Sequence, residues 1–335
     1  MKFSAITFLI LFVVAGCADT SVPVNSIKGS TMGTSYSILW PSESQVVDLH
    51  ALQANVDAVL DNITSQMSTY DPKSELSIFN AKQAPASQKI SKEFADVMNL
   101  SISLSGLTDG YFDVTVGPLV NSWGFGPDKL PSKIPSEQQL RKLLEGVGIS
   151  EVSLDQGILS KRAQRYVDLS AVAKGYAVDA VAALLESHGI DSYLVEIGGE
   201  MKAAGFKAPD VNWKIAIETP DLVVRKVHKI LAVKDIAIAT SGDYRNYYEL
   251  DGERYSHSID PKTGSPVEHS LASVTILDET CARADALATA MLVMGFNKAK
   301  GFAEKNGVKA YLIVRNEQGK FEEYLSPAFA GWFNP

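Results

Sequence analysis

Residues 281–290 read CARADALATA, and two of them carry hard oxygen atoms of the kind a small divalent cation takes. Asp285 and Thr289 are four apart, so on a helix both side chains project from one face. Their neighbours are mostly Ala and Leu, and a carboxylate set in such a surface is costly unless a cation or donors compensate it. One carboxylate and one hydroxyl suit Mg²⁺, which keeps waters and takes phosphate oxygens from a substrate. The plainer alternative pairs Asp285 with Arg283 or another base and lets Thr289 bond back to its own helix. Spacing alone leans to that alternative.

Two other stretches can do chemistry. In DLSAVAKGY (168–176) a short strand over Arg165 to Leu169 is expected to feed a helix, with Lys174 in its first turns. Helix N-termini attract anions and a nearby lysine adds to that attraction, which points to phosphate. A capping Asp168 with a solvated Lys174 explains the same residues equally well. In YSHSIDPKTG (255–264), turn chemistry accounts for Pro261 and Gly264. His257, one of five histidines, stands out as a proton acceptor near neutral pH, although a lone strand histidine is more often structural. Gly198-Gly199 before Glu200, and Ser241-Gly242, permit close backbone approach to a ligand or simply make turns. The chain carries no GxGxxG, Walker loop or nucleophile elbow, which disfavours those dinucleotide and hydrolase folds.

The elements that must position these groups are mixed. Apolar residues at helical spacing predict helices over Val46 to Met67, Lys92 to Leu107, about Ser170 to His188, and about Ala282 to Met294. Ser136 and Gln139 form a capping box that starts another. Tyr193 to Ile197 reads as a buried strand. From Trp213 to Ile276 the pattern turns β, with strands expected in WKIAIE, HKILAV, IAIATSG, RNYYEL and ERYSHSI and an Asp251-Gly252 hairpin turn. Strands clustered between helical blocks predict an α+β fold, a mainly antiparallel sheet with flanking helices, built as one catalytic unit of one or two lobes.

The 335 residues are 46% hydrophobic and 21% charged, the composition of a globular protein. A net charge of −8 argues against nucleic acid as a partner, because phosphate backbones need basic surface. Lys2 followed by the apolar run Ile6 to Val14, too short to span a bilayer, ends at Val14-Ala15-Gly16-Cys17. This is the pattern of a lipoprotein signal over residues 1–16, cleaved before a lipid-bearing Cys17. Residues 17–26 are then expected to form a polar tether, and 27–335 the working domain. Each buried acyl methylene contributes about 0.8 kcal/mol to such an anchor. The other cysteine, Cys281, reads as a small buried side chain with no disulfide partner once Cys17 is lipidated.

Eight blocks occur in a recognisable order: GSTMGTSYSI (29–38), MSTYDPKSELSIFN (67–80), GYFDVTVGPLVNSWGFGP (110–127), DLSAVAKGYAVD (168–179), EIGGEMKAAG (196–205), ATSGDYRNY (239–247), YSHSIDPKTGSPV (255–267) and CARADALATAMLVMG (281–295). Together they resemble the ApbE family of FAD:protein FMN transferases over nearly the whole chain after the signal. The resemblance implies that Asp285 and Thr289, with the backbone carbonyl of Ala171, hold Mg²⁺. It implies FAD contacts at Met32, Tyr70, Phe112, Asp113, Val114, Asp168, Lys174 and Ile259. Some members have Glu in place of Lys174. The implied reaction is transfer of FMN from FAD to a threonine hydroxyl of a target protein, in a Ser/Thr-Gly-Ala-Thr-like motif, with release of AMP. His257, or a carboxylate near the metal such as Asp285, is then the expected proton acceptor. The implied targets are subunits of membrane redox complexes of the NADH:quinone reductase or Rnf type. They place a lipid-anchored chain on the periplasmic side of the inner membrane. Rival readings of the same pocket are an FAD pyrophosphatase, a passive FAD-binding lipoprotein, and an electron-transfer flavoprotein.

Overall fold

Two short hairpins and two helices matter most for the site, and each follows from local chemistry. The computed structural model describes residues 23–43, 47–127, 133–220, 226–244, 246–250 and 252–333. Strands β1 (Val24–Thr31) and β2 (Thr34–Pro41) are joined by a two-residue turn, Met32-Gly33, with φ of 48° and 73°. Positive φ at both turn positions matches the twist of the flanking strands, and Gly33 adopts it freely while Met32 does so at a cost of about 1 kcal/mol. Helix α1 (Leu49–Met67) is capped by Asp48 and buries Leu52, Val56, Leu60 and Ile63 on one face. Next come α2 (Glu75–Ala81), β3 (Ala86–Lys89), α3 (Lys92–Leu107), α4 (Gly117–Ser122) and α5 (Glu137–Leu144), the last with its Ser136–Gln139 capping box formed. Strands β4 (Val152–Asp155) and β5 (Ile158–Lys161) lead to α6 (Ala173–Ser187), then β6 (Tyr193–Ile197) and β7 (Glu200–Ala204). The β-rich stretch supplies β8 (Trp213–Glu218), β9 (Val227–Val233), β10 (Ile236–Gly242), β11 (Tyr247–Leu250), β12 (Glu253–Ser256) and β13 (Leu271–Asp278). Helices α7 (Cys281–Met294) and α8 (Phe296–Asn306) and strands β14 (Lys309–Arg315) and β15 (Phe321–Leu325) complete the order.

The main sheet has eight strands in the order β1-β2-β6-β7-β10-β13-β14-β15, and each neighbouring pair is antiparallel. The fold is therefore α+β with a large antiparallel sheet, as expected. Helices α1, α3, α6 and α7 cover one face through the largest core. The β8–β9 ribbon covers part of the other, with Trp213, Ile215 and Leu231 against Ile238, Tyr311 and Ile313. Strand β13 is buried on both faces, so Ser273 and Thr275 are as covered as Val274 and Ile276. Helix α7 is buried on nearly every side, which is why Arg283, Asp285 and Thr289 are its only charged or hydroxyl residues. A small satellite core of Leu119, Trp123, Tyr255 and Ile259 ties α4 to the β11–β12 hairpin.

Several expectations need correction. Strand β1 begins at Val24, inside the stretch assigned to a tether, because residues 24–31 pair along β2. Arg165 to Leu169 is not a strand. Among the described residues no strand pairs with it. Instead the Asn80 carboxamide donates to the Val167 carbonyl and accepts from the Val167 N–H, both at 2.8 Å. Helix α6 starts three residues later than about Ser170, after a turn at Ser170–Val172. Asp251, Arg245, Cys17 and the signal lie outside the described residues. Among the described residues, no helix is long and apolar enough to cross a membrane.

Candidate active site

The site forms where α6 crosses α7. A Cβ on Gly175 would stand 2.4 Å from the Cys281 carbonyl oxygen, so only glycine allows the two helices to come so close. Asp179, one turn along α6, accepts the N–H groups of Cys281 at 3.0 Å and Ala282 at 2.9 Å and thereby caps α7 from outside. Asp285 points back to α6 and accepts the Gly175 N–H at 3.1 Å. The Lys174 ammonium lies 2.9 Å from Glu200 and 3.7 Å from Asp285. Arg283 is turned away to Asp278 at 2.9 Å, and Thr289 meets the Ser241 hydroxyl of β10 at 3.2 Å. Asp285 is therefore not paired with Arg283, and the Thr289 hydroxyl reaches across to the sheet.

Charge explains what this cluster lacks. Two carboxylates share one ammonium, leaving one uncompensated negative charge out of water. Burial pushes Asp285 up to about 7, with Lys174 opposing and Glu200 adding to the shift. Burial also raises Glu200, against the pull of Lys174. Burial works against the charge on Lys174, but Asp285 and Glu200 outweigh it and hold the ammonium protonated. Oε2 of Glu200 is buried with no hydrogen-bond partner among the described residues. Hard oxygens with surplus negative charge fit a divalent cation. Ala171, the expected backbone ligand, sits in the turn before α6 and packs on the main core. The described residues hold no group of three His, Cys, Asp or Glu side chains that could hold a metal, so a cation here would rely on mixed oxygen donors. The Cys281 thiol is fully buried and pushed well up by burial, which suits packing and not nucleophilic attack.

Two turns border this cluster. Gly198 and Gly199 have φ of 61° and 103°. A Cβ on Gly198 would come within 2.9 Å of Thr34 and 3.5 Å of the Lys174 stem, so the β6–β7 turn, the β1–β2 turn and Lys174 lie side by side. Met32, in that second turn, packs partly buried against the main core. His257 follows β12. Its Nδ1 lies 3.0 Å from the Asn246 carbonyl. A carbonyl only accepts, so Nδ1 carries the proton and Nε2 keeps a lone pair. Burial lowers His257 below the ordinary histidine range; the Asn246 carbonyl opposes this and the Lys174 charge adds to it. The ring is neutral at pH 7 and able to accept a proton. Ile259 is buried in the satellite core.

Asp168 and Tyr70 belong to a neighbouring wall. Oδ1 of Asp168 accepts the Ser170 N–H at 2.9 Å and its hydroxyl at 2.5 Å, while the Asp168 N–H donates to the Val114 carbonyl at 2.7 Å. It closes a turn before α6 and does not cap the helix. Tyr70 is 65% exposed on a cleft of about 320 Å³ lined also by Thr69, Pro72, Ser77, Asn80 and Tyr166. Burial and the Asp168 charge both raise the Tyr70 phenol. Phe112 and Val114 are 3% exposed, so what they offer a ligand is backbone. The Asp113 carboxylate is taken by the Thr115 N–H and hydroxyl and by the Ile149 N–H.

Sequence reasoning missed Glu200, Ser241, Asn80 and Asp179 as site-building residues. Glu200 directly follows the glycine pair, and its even spacing from Lys202 on a strand is the signal that was available. Nothing local marks Asn80. Its partner is 87 residues away, beside a Lys161 ammonium that is 1% exposed and donates to the carbonyls of Phe79, Asn80 and Arg165. Asn80→Leu leaves two buried backbone groups of Val167 unpaired, each worth about 1–3 kcal/mol. The expected outcome is a lower urea midpoint, read by equilibrium unfolding.

Two buried carboxylates, one lysine and a hydroxyl on an antiparallel α+β scaffold make a site with surplus negative charge, suited to a cation and, through it, to an anionic group. The chain belongs to the ApbE family, whose model matches residues 32–312. It is 44% identical to an FAD:protein FMN transferase of Vibrio cholerae over 320 residues, covering 95% of each chain. It is 43% identical to one of Haemophilus influenzae, covering 91% of this chain and 90% of that one. Among solved structures it matches the flavin transferase ApbE from Vibrio cholerae with a TM-score of 0.86 at 43% identity, covering 92% of this chain and all of that one (100%). It matches the apo flavinyl transferase ApbE of Pseudomonas stutzeri with a TM-score of 0.85 at 38% identity, covering 93% and 97%.

Proposed function

We propose that this chain is an FAD:protein FMN transferase acting with Mg²⁺. The observation that carries the reading is the uncompensated negative charge around Asp285, one helical turn from the Thr289 hydroxyl. Asp285, Thr289 and the Ala171 carbonyl would hold the ion. Bound there, Mg²⁺ would neutralise pyrophosphate charge and ease the departure of AMP. Lys174 offers its ammonium to the same pyrophosphate, and the Met32-Gly33 and Gly198-Gly199 turns bring backbone close enough to flank it. Tyr70, Asp168 and the 112–114 backbone would take another part of FAD. Nε2 of His257 accepts the proton of the acceptor threonine. The threonine oxygen bonds to the FMN-side phosphorus, the bond from that phosphorus to the bridging oxygen breaks, and AMP leaves with the electron pair.

The acceptors proposed are subunits of membrane redox complexes, reached by a chain anchored through Cys17 on the periplasmic side of the inner membrane. The run Ile6 to Val14 before Val14-Ala15-Gly16-Cys17 supports the anchor. Cys17→Ser is expected to abolish palmitate labelling and release the chain to the soluble fraction.

Intact-mass spectrometry on an acceptor domain incubated with the chain, FAD and Mg²⁺ tests the activity. A gain of one FMN on threonine, dependent on Mg²⁺, is expected. Free FMN and AMP with an unmodified acceptor would replace this reading with a pyrophosphatase, and the absence of AMP would replace it with a binding protein.

A further inference from the structure

Glu200 has no role in the reaction as drawn, yet its surroundings are costly to build. It opens β7 directly after the Gly198-Gly199 turn and is 5% exposed. Its Oε1 takes the Lys174 ammonium at 2.9 Å, and its Oε2 has no hydrogen-bond partner among the described residues. Lys174 is thus shared unequally between two carboxylates, closer to Glu200 than to Asp285 at 3.7 Å. The Lys174 stem passes beside Gly198, where an added Cβ would be in ordinary contact with Cδ at 3.5 Å. The ammonium at its end is within ion-pair reach of both carboxylates. A divalent cation on Asp285 and an ammonium beside the same carboxylate repel each other at short range, so one of them must yield.

We propose that Glu200 is a positioning residue that draws Lys174 off Asp285 and so opens Asp285 to the divalent cation; the inference rests on the metal assignment above. With the cation in place, Lys174 keeps Glu200 as its counter-ion, and its remaining N–H donors face the anionic substrate. Without the Glu200 charge, the ammonium has only Asp285 as a partner and becomes the cation's competitor. The role is visible without turnover, because it concerns who occupies Asp285 before any substrate arrives.

The test is a titration of the full chain with Mn²⁺ alone, in the absence of FAD, reading free ion by electron paramagnetic resonance. Glu200→Gln is expected to weaken Mn²⁺ binding by at least about tenfold. Adding Lys174→Met should remove that loss, returning affinity to within about threefold of the Lys174→Met single variant. Glu200→Asp, which keeps the charge but withdraws it by one methylene, should show a smaller loss that Lys174→Met also removes, and it serves if Glu200→Gln does not fold. A merely structural Glu200 would weaken binding equally in both backgrounds, and that result overturns the proposal. So does wild-type affinity in Glu200→Gln while Asp285→Ala abolishes uptake, which leaves the metal assignment standing. Uptake that survives Asp285→Ala, or no Mn²⁺ uptake by the wild-type chain, overturns the metal assignment and this proposal together.

Discussion

Asp285→Asn is expected to lower the rate of FMN transfer by on the order of 10³-fold or more, because the several kcal/mol of charge stabilisation that the proposed cation would supply go with its anionic ligand. The metal-free chain keeps its melting temperature or gains slightly. Asparagine has the same shape and still offers an oxygen to the Gly175 N–H, so the α6–α7 crossing is retained. Lys174 still has Glu200 at 2.9 Å. The cluster of two carboxylates and one ammonium becomes neutral, and the desolvated charge that pushes Asp285 up to about 7 is gone. Single-turnover kinetics beside scanning calorimetry separate the two effects. A transfer rate within tenfold of wild type would remove Asp285 from the metal site, whereas a large fall in melting temperature would make it a structural residue.

His257→Gln is expected to lower transfer by about 10²–10⁴-fold, the usual contribution of a positioned general base. The pH profile gives the sharper reading. Burial holds His257 below its ordinary value of 6.5, so the acid limb of the wild-type profile lies under that value, and the limb disappears in the variant. Stability runs the same way. As pH falls from 6.5, the unfolded chain takes up a proton before the folded ring does, so the histidine's contribution to stability is present at neutral pH and lost as pH falls through the folded value. Glutamine can keep a donor toward the Asn246 carbonyl, so a purely structural histidine predicts near-normal transfer with the acid limb unchanged.

Much of the architecture was legible because the signals are local. Periodicity and caps mark α1, α3, α5 and α7, and a short apolar run marks β6. Helical spacing put Asp285 and Thr289 on one face, and the glycine pair before Glu200 marked a turn. Other elements hid because their patterns were set by distant neighbours. Strand β13 alternates Ser273, Val274, Thr275 and Ile276 like a half-exposed strand yet is covered on both faces, and Arg165 to Leu169 looks like a strand but is held by one asparagine side chain.

By itself the sequence determined the α+β class, the helices and turns that carry the chemistry, the ApbE family resemblance, and the candidates Asp285, Thr289, Lys174 and His257. Those rest on periodicity, backbone preference and motif order, all of which operate within a few residues or along the chain. Only the tertiary structure decided partners. It turned Arg283 to Asp278, aimed Thr289 at Ser241, and set Lys174 between Glu200 and Asp285. It also gave His257 the Asn246 carbonyl that fixes which nitrogen is free. The physical reason is that charge compensation in a buried site depends on distance in space. The two carboxylates there stand on β7 and α7 and meet Lys174 of α6, elements that folding brings together from across more than a hundred residues (Lys174 to Asp285 spans 111).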